Sequence, residues 1–199
     1  MAKSVTSEVI AIPNARLSFP RLWKPKSFQE GQEPRFEATF ILDPSNPQHA
    51  ATLKKIKDVA RTIATEAFAG KIPPDLKIGC LLDGNTKEYD GYKNMIAVPT
   101  HNQTRPAVVG RRRQPVVEGE TEAPYAGCYV NGSITLWVQD NKWGKRINAN
   151  LRGVQFVRDG DAFGIQPVDA EDEFEALEDD AGPGPSGASA PGLVADMFA

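Results

Sequence analysis

The feature that most constrains this chain is a regular alternation of apolar and polar residues over residues 128–156. Within Tyr129–Gln139 alternate positions are apolar, and the same pattern returns after a short polar stretch. A period of two is typical of a strand that buries one face. We therefore predict two strands joined as a hairpin around Asp140–Lys145. The side chains predicted to face the core are Val130, Ile134, Leu136, Val138, Ile147, Ala149 and Leu151.

The outward face of this hairpin carries the residues that point to a function. Opposed residues on paired strands share a face, so Tyr129 and Trp137 are expected beside the cations and amides of the second strand. Those cations and amides are Arg146, Asn148, Asn150 and Arg152, and the turn adds Lys142, Trp143 and Lys145. Unpaired bases stack on exposed rings while Lys and Arg neutralise phosphates, which predicts a platform for single-stranded nucleic acid. In the alternative interpretation another segment covers these rings, which then belong to the core.

Other segments add strands and one helix. Asn46 can cap a helix, Pro47 suits its first position and Gly70 suits its exit. Its apolar stripe comprises Leu53, Ile56, Ala60, Ile63 and Ala67. The basic residues mostly off this stripe are predicted to be solvated: Lys54, Lys55 and Arg61.

The remaining apolar segments are short and mostly have the period of a strand. The alternating residues in the first two segments are Ala15, Leu17, Phe19, Phe36, Ala38, Phe40 and Leu42. Further short strands are expected at 95–99 and 107–109. After Gly153 the apolar positions shift to Val154 and Phe156, which predicts a β-bulge. One helix among several short strands indicates a mainly β domain, either a small barrel or a sandwich.

Charge is unevenly distributed along the 199 residues. The net charge is −3, but residues from Val168 onward include nine acids and no Lys or Arg. Residues 1–167 therefore hold all 23 Lys and Arg against 17 acids, a net charge of +6. We predict a basic domain over 1–167 and a disordered acidic tail over 168–199. This arrangement favours a polyanionic ligand and a tail that competes with it, although a solvated surface with a solubility tail also fits.

The tail changes character along its length. Ala181–Pro191 is rich in Gly, Pro, Ala and Ser, which is typical of a flexible linker. Leu193–Ala199 then restores apolar side chains. Because an exposed apolar peptide reduces solubility unless it is bound, we predict partner binding by Asp196, Met197 and Phe198.

Further basic and aromatic residues lie in predicted strands and loops. Each could be a solvated surface group, but together they extend the predicted surface for DNA. The additional candidates for DNA contact are Arg16, Arg21, Trp23, Lys24, Tyr89, Tyr92, Lys93, Arg111, Arg112 and Arg113.

Catalytic and metal motifs are scarce in the sequence. The two cysteines, Cys80 and Cys128, lack metal-ligand spacing and fit reduced thiols in a cytosol. Asp43, Asp75 and Lys77 could form the metal site of a nuclease, although Asp75 precedes no convincing buried strand. A third hypothesis is a structural or adaptor protein that acts through its tail. We predict a non-catalytic binding protein without cofactor, metal or membrane span.

Several blocks of the sequence resemble a known family, the phage-encoded single-stranded-DNA-binding proteins of an OB-fold type. They are Asn14–Pro20, Arg35–Leu42, Leu82–Asn85, Tyr89–Tyr92, Pro124–Val130, Asn141–Lys145 and Gly153–Phe156. The acidic tail resembles that of related proteins, but Ala199 follows Phe198 here.

The resemblance implies an OB-like barrel of five strands, or a slightly elaborated form of it, and no cofactor. It further implies a role in phage DNA replication or recombination in the bacterial cytoplasm. The expected partners are single-stranded DNA and, through the tail, replication or recombination proteins, and a homodimer is left open. The predicted helix follows the second strand, which departs from the usual OB order.

Overall fold

Strands make up most of the regular secondary structure in this computed structural model, in which residues 2–27, 31–89 and 91–164 are described. The predicted tail, 168–199, lies outside the described residues. The elements in chain order are β1 (Ile10–Lys26), β2 (Arg35–Leu42), α1 (Pro47–Ala67), β3 (Lys77–Ile78), β4 (Leu82–Asp83), β5 (Ile96–Asn102), β6 (Ala107–Val109), β7 (Tyr129–Asn141) and β8 (Gly144–Arg158).

Five of these strands close into a barrel. The ring order is β1, β2, β5, β8 and β7, and β7 pairs with β1 to complete the ring. The contact between β5 and β8, at His101 and Asn150, is parallel, whereas the other four pairings are antiparallel. The mainly β, OB-like fold is thus confirmed, with the helix between β2 and β5.

The predicted core is largely correct. All the inward positions of β7 and β8 listed above are buried, as are the four alternating residues of β2. Phe19 is the exception, because 46% of its surface is exposed. The register of β1 against β2 shifts between Ser18 and Arg21, and Phe19 has a φ of 49°. This irregularity reverses the inside–outside alternation, so Ser18 is buried and Phe19 faces solvent.

The helix begins and ends as its sequence indicates. The Asn46 side chain accepts hydrogen bonds from the backbone N–H groups of Gln48 and His49. Gly70, with a φ of +82°, donates its N–H to Thr65 O and ends the helix. The predicted apolar stripe is buried against the barrel. Among the described residues no helix is long and apolar enough to cross a membrane.

The hairpin of β7 and β8 has the predicted faces and a displaced bulge. Trp137 lies opposite Asn148, and the two-residue connection is Lys142-Trp143. Ile134 pairs with Leu151 while Ser133 pairs with Gly153, so Arg152 is the extra residue. The bulge therefore occurs one residue before Gly153 and restores Val154 and Phe156 to the core.

Candidate nucleic-acid interface

A groove crosses the outer face of the barrel between the start of β2, the end of β5 and the β7–β8 hairpin. Its volume is about 760 Å³. We call it the tryptophan groove, and its lining residues are Gln32, Glu33, Arg35, His101, Asn102, Gln103, Trp137, Asn141, Trp143 and Asn150. In OB folds this face and the adjoining hairpin loop bind oligonucleotides.

The hairpin turn presents Trp143 at one side of the groove. Asn141 Oδ1 accepts a hydrogen bond from the Trp143 backbone N–H, which fixes the turn. Gly144 follows with a φ of +104°, a conformation that favours glycine. The Trp143 ring is 72% exposed, and Lys142 Nζ lies 5.2 Å from its centroid. A large flat apolar surface beside a cation is thereby held in water.

Trp137 lies within the groove and contacts β5 across β8. Its ring is half-buried and forms an edge-on contact with His101 at a centroid distance of 6.4 Å. The indole Nε1 is buried without a hydrogen-bond partner among the described residues. Any stacking on Trp137 would therefore use the accessible part of the ring rather than its N–H group.

Charge in the groove comes from β2. Arg35 lies near His101, and burial, with a smaller contribution from Arg35, lowers the pKa of His101. The imidazole is therefore neutral around neutral pH. Opposite His101 in the strand register lies Glu37, whose pKa is raised by burial despite the nearby Arg21 and Arg35.

The sequence did not single out Arg35 or His101. The signal for Arg35 was its outward position in the alternation of β2, but alternation does not show that β5 and β8 become neighbours. Other predicted residues do face outward near the hairpin: Lys142, Arg146 and Arg152 are exposed, and Asn148 donates to Gln139 Oε1 at 2.9 Å.

Tyr129 is not next to Trp137, which corrects the predicted platform. The two residues lie toward opposite ends of β7, and the partner of Tyr129 on β8 is Arg158. The Arg158 guanidinium lies 3.3 Å from the Tyr129 ring centroid. The prediction was wrong because it ignored the bulge and the full length of β8 when it paired the far end of the hairpin.

Arg16 belongs to the same group of side chains. Its guanidinium lies 4.3 Å from the Phe163 ring centroid and 5.7 Å from that of Tyr129. Arg16 also donates hydrogen bonds to Gly127 O at 3.2 Å and Asp161 O at 2.6 Å. We call Arg16, Tyr129, Arg158 and Phe163 the arginine–tyrosine cluster. Three of its members, Arg16, Tyr129 and Arg158, line a cavity of about 380 Å³ together with Lys93 and Asp43.

The predicted contact of Tyr92 conflicts with the structure, whereas that of Trp23 stays a prediction. Tyr92 is only 3% exposed, and hydrogen bonds with Ser18 and Thr39 hold its hydroxyl, so its ring cannot stack on bases. Trp23 is half-buried and packs on the core, with its Nε1 3.5 Å from Val116 O. Both side chains stabilise loops against the barrel.

Tyr89 is exposed and has a neighbour that the sequence placed in the core. Half of its surface is accessible, and its ring meets the exposed Phe19 edge-on at 5.1 Å. Lys93 is exposed nearby in the chain. Phe19 is therefore an accessible aromatic residue that simple alternation missed.

Several predicted basic contacts already have acidic neighbours. The ion pairs are Arg21–Glu37 at 3.2 Å, Lys24–Glu118 at 3.5 Å, Arg111–Glu122 at 3.0 Å and Lys145–Asp75 at 3.0 Å. Arg112 and Arg113 are exposed. Exposed pairs such as Lys24–Glu118 contribute little energy, so phosphate can compete for that cation, whereas the Arg21–Glu37 pair is largely buried.

The residues considered for metal chemistry do not converge. Asp75 pairs with Lys145, and Asp43 accepts hydrogen bonds from Ser45. Cys80 and Cys128 are both buried. Within the described part of the chain no three acidic, His or Cys side chains are placed to hold a metal ion. The predicted partner-binding residues Asp196, Met197 and Phe198 lie outside the described residues.

Comparison with known proteins identifies relatives among phages. Protein p50 of Acyrthosiphon pisum secondary endosymbiont phage 1 is 34% identical over 176 residues, which cover 84% of this chain and 93% of that protein. The single-stranded DNA-binding protein from bacteriophage Enc34, solved in complex with single-stranded DNA, is 31% identical with a TM-score of 0.69. That match covers 78% of this chain and 89% of the Enc34 chain.

A more distant solved structure shows the same fold. The single-stranded DNA-binding protein encoded by bacteriophage T7 has a TM-score of 0.51 at 14% identity, over 94% of this chain and 100% of that one. The family model described as Enterobacter phage Enc34, ssDNA-binding protein, matches residues 8–182. The family is one of binding proteins rather than enzymes. The chain belongs to the Enc34 single-stranded-DNA-binding protein family.

Proposed function

We propose that this protein binds single-stranded DNA without catalysis and with little sequence preference, during phage DNA replication or recombination in the host cytoplasm. The observation that carries the proposal is the tryptophan groove, where Trp137 and Trp143 flank a polar channel on an OB-like barrel. Family membership supports the same ligand. Residues 1–167 would form the DNA-binding domain.

The proposed mechanism combines stacking with charge neutralisation. Bases would stack on Trp143, which is exposed, and on the accessible side of Trp137. Each stacked base contributes about 1–3 kcal/mol, and every base offers the same kind of flat face. Duplex DNA hides those faces, so this surface favours a single strand.

The surrounding cations would track the phosphates. Arg35 lines the groove, while Lys142, Arg146 and Arg152 are exposed on or near the hairpin. Amide side chains such as Asn150 can donate to or accept from any base or the sugar–phosphate chain. Tyr89, Lys93, Arg112 and Arg113 remain candidates for contacts beyond the groove.

A titration of the full-length protein with oligo-dT tests this function. If four to six phosphates are neutralised, log K should fall with log salt at a slope of about −3 to −4. A chelator should leave the bound oligonucleotide unchanged, because no metal is needed. Absence of binding would overturn the proposal and favour the adaptor alternative, and chelator-sensitive cleavage would favour the nuclease.

We further propose a role for the tail. The tail contains nine acids, whereas residues 1–167 have a net charge of +6, so the tail would compete with DNA for the basic surface. The 24 residues from Glu175 to Phe198 span about 25–30 Å root-mean-square if flexible, comparable with the domain. Truncation after Pro167 should therefore tighten oligo-dT binding at low salt. Phe198→Ala should leave DNA affinity unchanged and reduce recruitment of a replication partner.

A further inference from the structure

A second pair of exposed aromatic side chains lies apart from the tryptophan groove. Phe19, on β1, and Tyr89, in the loop between β4 and β5, are 46% and 50% exposed. Their rings meet edge-on at a centroid distance of 5.1 Å, and Tyr89 also meets the buried Tyr92 edge-on at 5.3 Å. Tyr92 therefore fixes Tyr89 against the barrel, while part of each outer ring stays open to solvent. We call these two residues the Phe19–Tyr89 pair.

The backbone holds the Phe19 ring outward. Its φ of 49° lies in the left-handed region, which residues other than glycine rarely adopt. The preceding Ser18 is buried, and its side chain hydrogen-bonds with Tyr92. Backbone strain of this kind persists where the surroundings impose it, and it is concentrated at ligand sites. Because burial of a Phe ring is favourable, a conformation that keeps the ring in water suits a ligand that covers it.

Two lysines supply positive charge near this pair. Lys87 and Lys93 lie within four residues of Tyr89 in the chain, and both are exposed, although the exposed Glu88 lies between them in sequence. Neither lysine forms an ion pair with another residue in the described part of the chain. Exposed rings beside available cations are the combination that binds unpaired bases and their phosphates.

The pair lies far from the tryptophan groove along the barrel. Trp137 and Tyr129 are eight residues apart on β7, a distance of about 26 Å along the strand. Arg16 pairs with Tyr129, and Phe19 follows three residues later on β1, beyond the start of β7. A short stretch of bases therefore cannot contact both sites.

We propose that the Phe19–Tyr89 pair is a second stacking site for the same DNA strand that occupies the tryptophan groove. A base would stack on the accessible part of either ring, while Lys87 and Lys93 would contact its phosphates. Tyr129, between the two sites, has its ring covered by a guanidinium and takes no part. The inference rests on the proposed function for its ligand, single-stranded DNA, and adds how long a strand the domain engages.

Oligonucleotides of two lengths separate the two sites. Four stacked nucleotides span only about 14 Å, which is too short to reach from one site to the other. A strand of about 16 nucleotides matches the upper end of OB-fold site sizes. In the full-length protein at low salt, tryptophan quenching by the short oligo-dT reports filling of the tryptophan groove. We expect Phe19→Leu to leave that titration unchanged and to weaken binding of the long oligo-dT about tenfold, through the loss of one stacked base.

Matched variants separate stacking from apolar burial and from folding. Phe19→Tyr restores a flat ring and should keep the long-strand affinity within about twofold. Tyr89→Leu, in a different segment, should reproduce the loss seen in Phe19→Leu. Ile72→Ala removes a side chain of similar exposure, 44%, which lines a different pocket beside α1, and should change neither titration. Chemical denaturation checks that each variant is folded.

The outcomes distinguish the second site from the proposed function. Equal long-strand affinity in Phe19→Leu, Tyr89→Leu and the unchanged protein, with the tryptophans still quenched, would overturn the second site alone. Equal losses for short and long strands would also overturn it, because the pair would then act through the tryptophan groove or the fold. Failure of both lengths to bind the unchanged protein would overturn the proposed function, and the second site with it.

Discussion

The tryptophan groove and the arginine–tyrosine cluster contain the same types of side chain in opposite circumstances. In the groove, Trp143 is 72% exposed and Trp137 is half-buried, with part of its ring open to the groove. In the cluster, Arg158 covers Tyr129 at 3.3 Å, and Arg16 donates to the backbone carbonyls of Gly127 and Asp161. One set of aromatic groups is available to a ligand, while the other is already engaged.

This difference shows why residue type alone does not define a nucleic-acid site. Cation–ring contacts contribute about 0.5–2 kcal/mol whether the cation belongs to the protein or a ligand. An arginine that stacks on its own protein's ring and donates to its own carbonyls stabilises the fold instead. We therefore expect substitutions in the groove to alter DNA affinity and substitutions in the cluster to alter stability.

The largest expected effect is the loss of DNA affinity when Trp137 is replaced. Trp137→Ala should weaken oligo-dT binding by about 1–3 kcal/mol, because a stacking surface is lost. The free energy of unfolding should change less than the free energy of binding, as measured by chemical denaturation. Trp137→Phe should retain much of the affinity. Unfolding of Trp137→Ala, with binding lost only as a result, would assign the ring to the core.

Tyr129→Ala should produce the opposite division of effects. We expect a loss of about 1–2 kcal/mol in the free energy of unfolding, since the cation–ring contact and half-buried ring are removed. Affinity for oligo-dT should stay within about twofold, under 0.5 kcal/mol. Arg158→Gln is the matched partner variant. A loss of affinity without a loss of stability would place Tyr129 in the DNA site, as the sequence alone predicted.

Exposed arginines near the hairpin should affect the salt dependence. Arg146→Ala and Arg152→Ala should each reduce the magnitude of the salt slope by roughly 0.7–1 unit, with an even loss of affinity across sequences. The measurement is oligonucleotide titration at several salt concentrations. Arg16→Ala should leave that slope nearly unchanged. An altered base preference would instead mean that Arg146 or Arg152 contacts base edges.

The smallest expected effect is a pH dependence from His101. Burial and the nearby Arg35 lower its pKa, so the free protein holds a neutral imidazole near pH 7. A bound phosphate would favour the imidazolium and raise that pKa. DNA affinity should therefore increase as the pH falls below about 6.5, the ordinary His value. His101→Gln should remove this component; an identical pH profile in the variant would show that His101 does not face the phosphates.

The sequence was sufficient to predict the longer elements and the outward side chains of the β7–β8 hairpin. Period-two alternation located β7 and β8 and the outward Trp137, and the capping residues located α1. Local patterns could not reveal that the end of β5 closes against β8, which brings His101 beside Trp137. Nor could they reveal the register shift that exposes Phe19, because the stability of that shift depends on how the strands pack.

The same limit explains the errors among aromatic residues. Tyr92 and Trp23 lie beside Gly, Lys or Arg in sequence, as surface binding residues often do. The Tyr92 ring is covered where its loop packs on the barrel beside Ser18 and Thr39, and the Trp23 ring is partly covered beside Val116. Whether a ring is open to a ligand depends on these long-range contacts.

The central claim, that single-stranded DNA occupies the tryptophan groove, can be tested directly by fluorescence. The chain has three tryptophans, two in the groove and Trp23 outside it. Trp23→Phe keeps both groove indoles, and the double variant Trp137→Phe/Trp143→Phe keeps only Trp23. On titration with oligo-dT at low salt, we predict strong quenching in the first protein and almost none in the second. Quenching only where Trp23 remains would contradict the account.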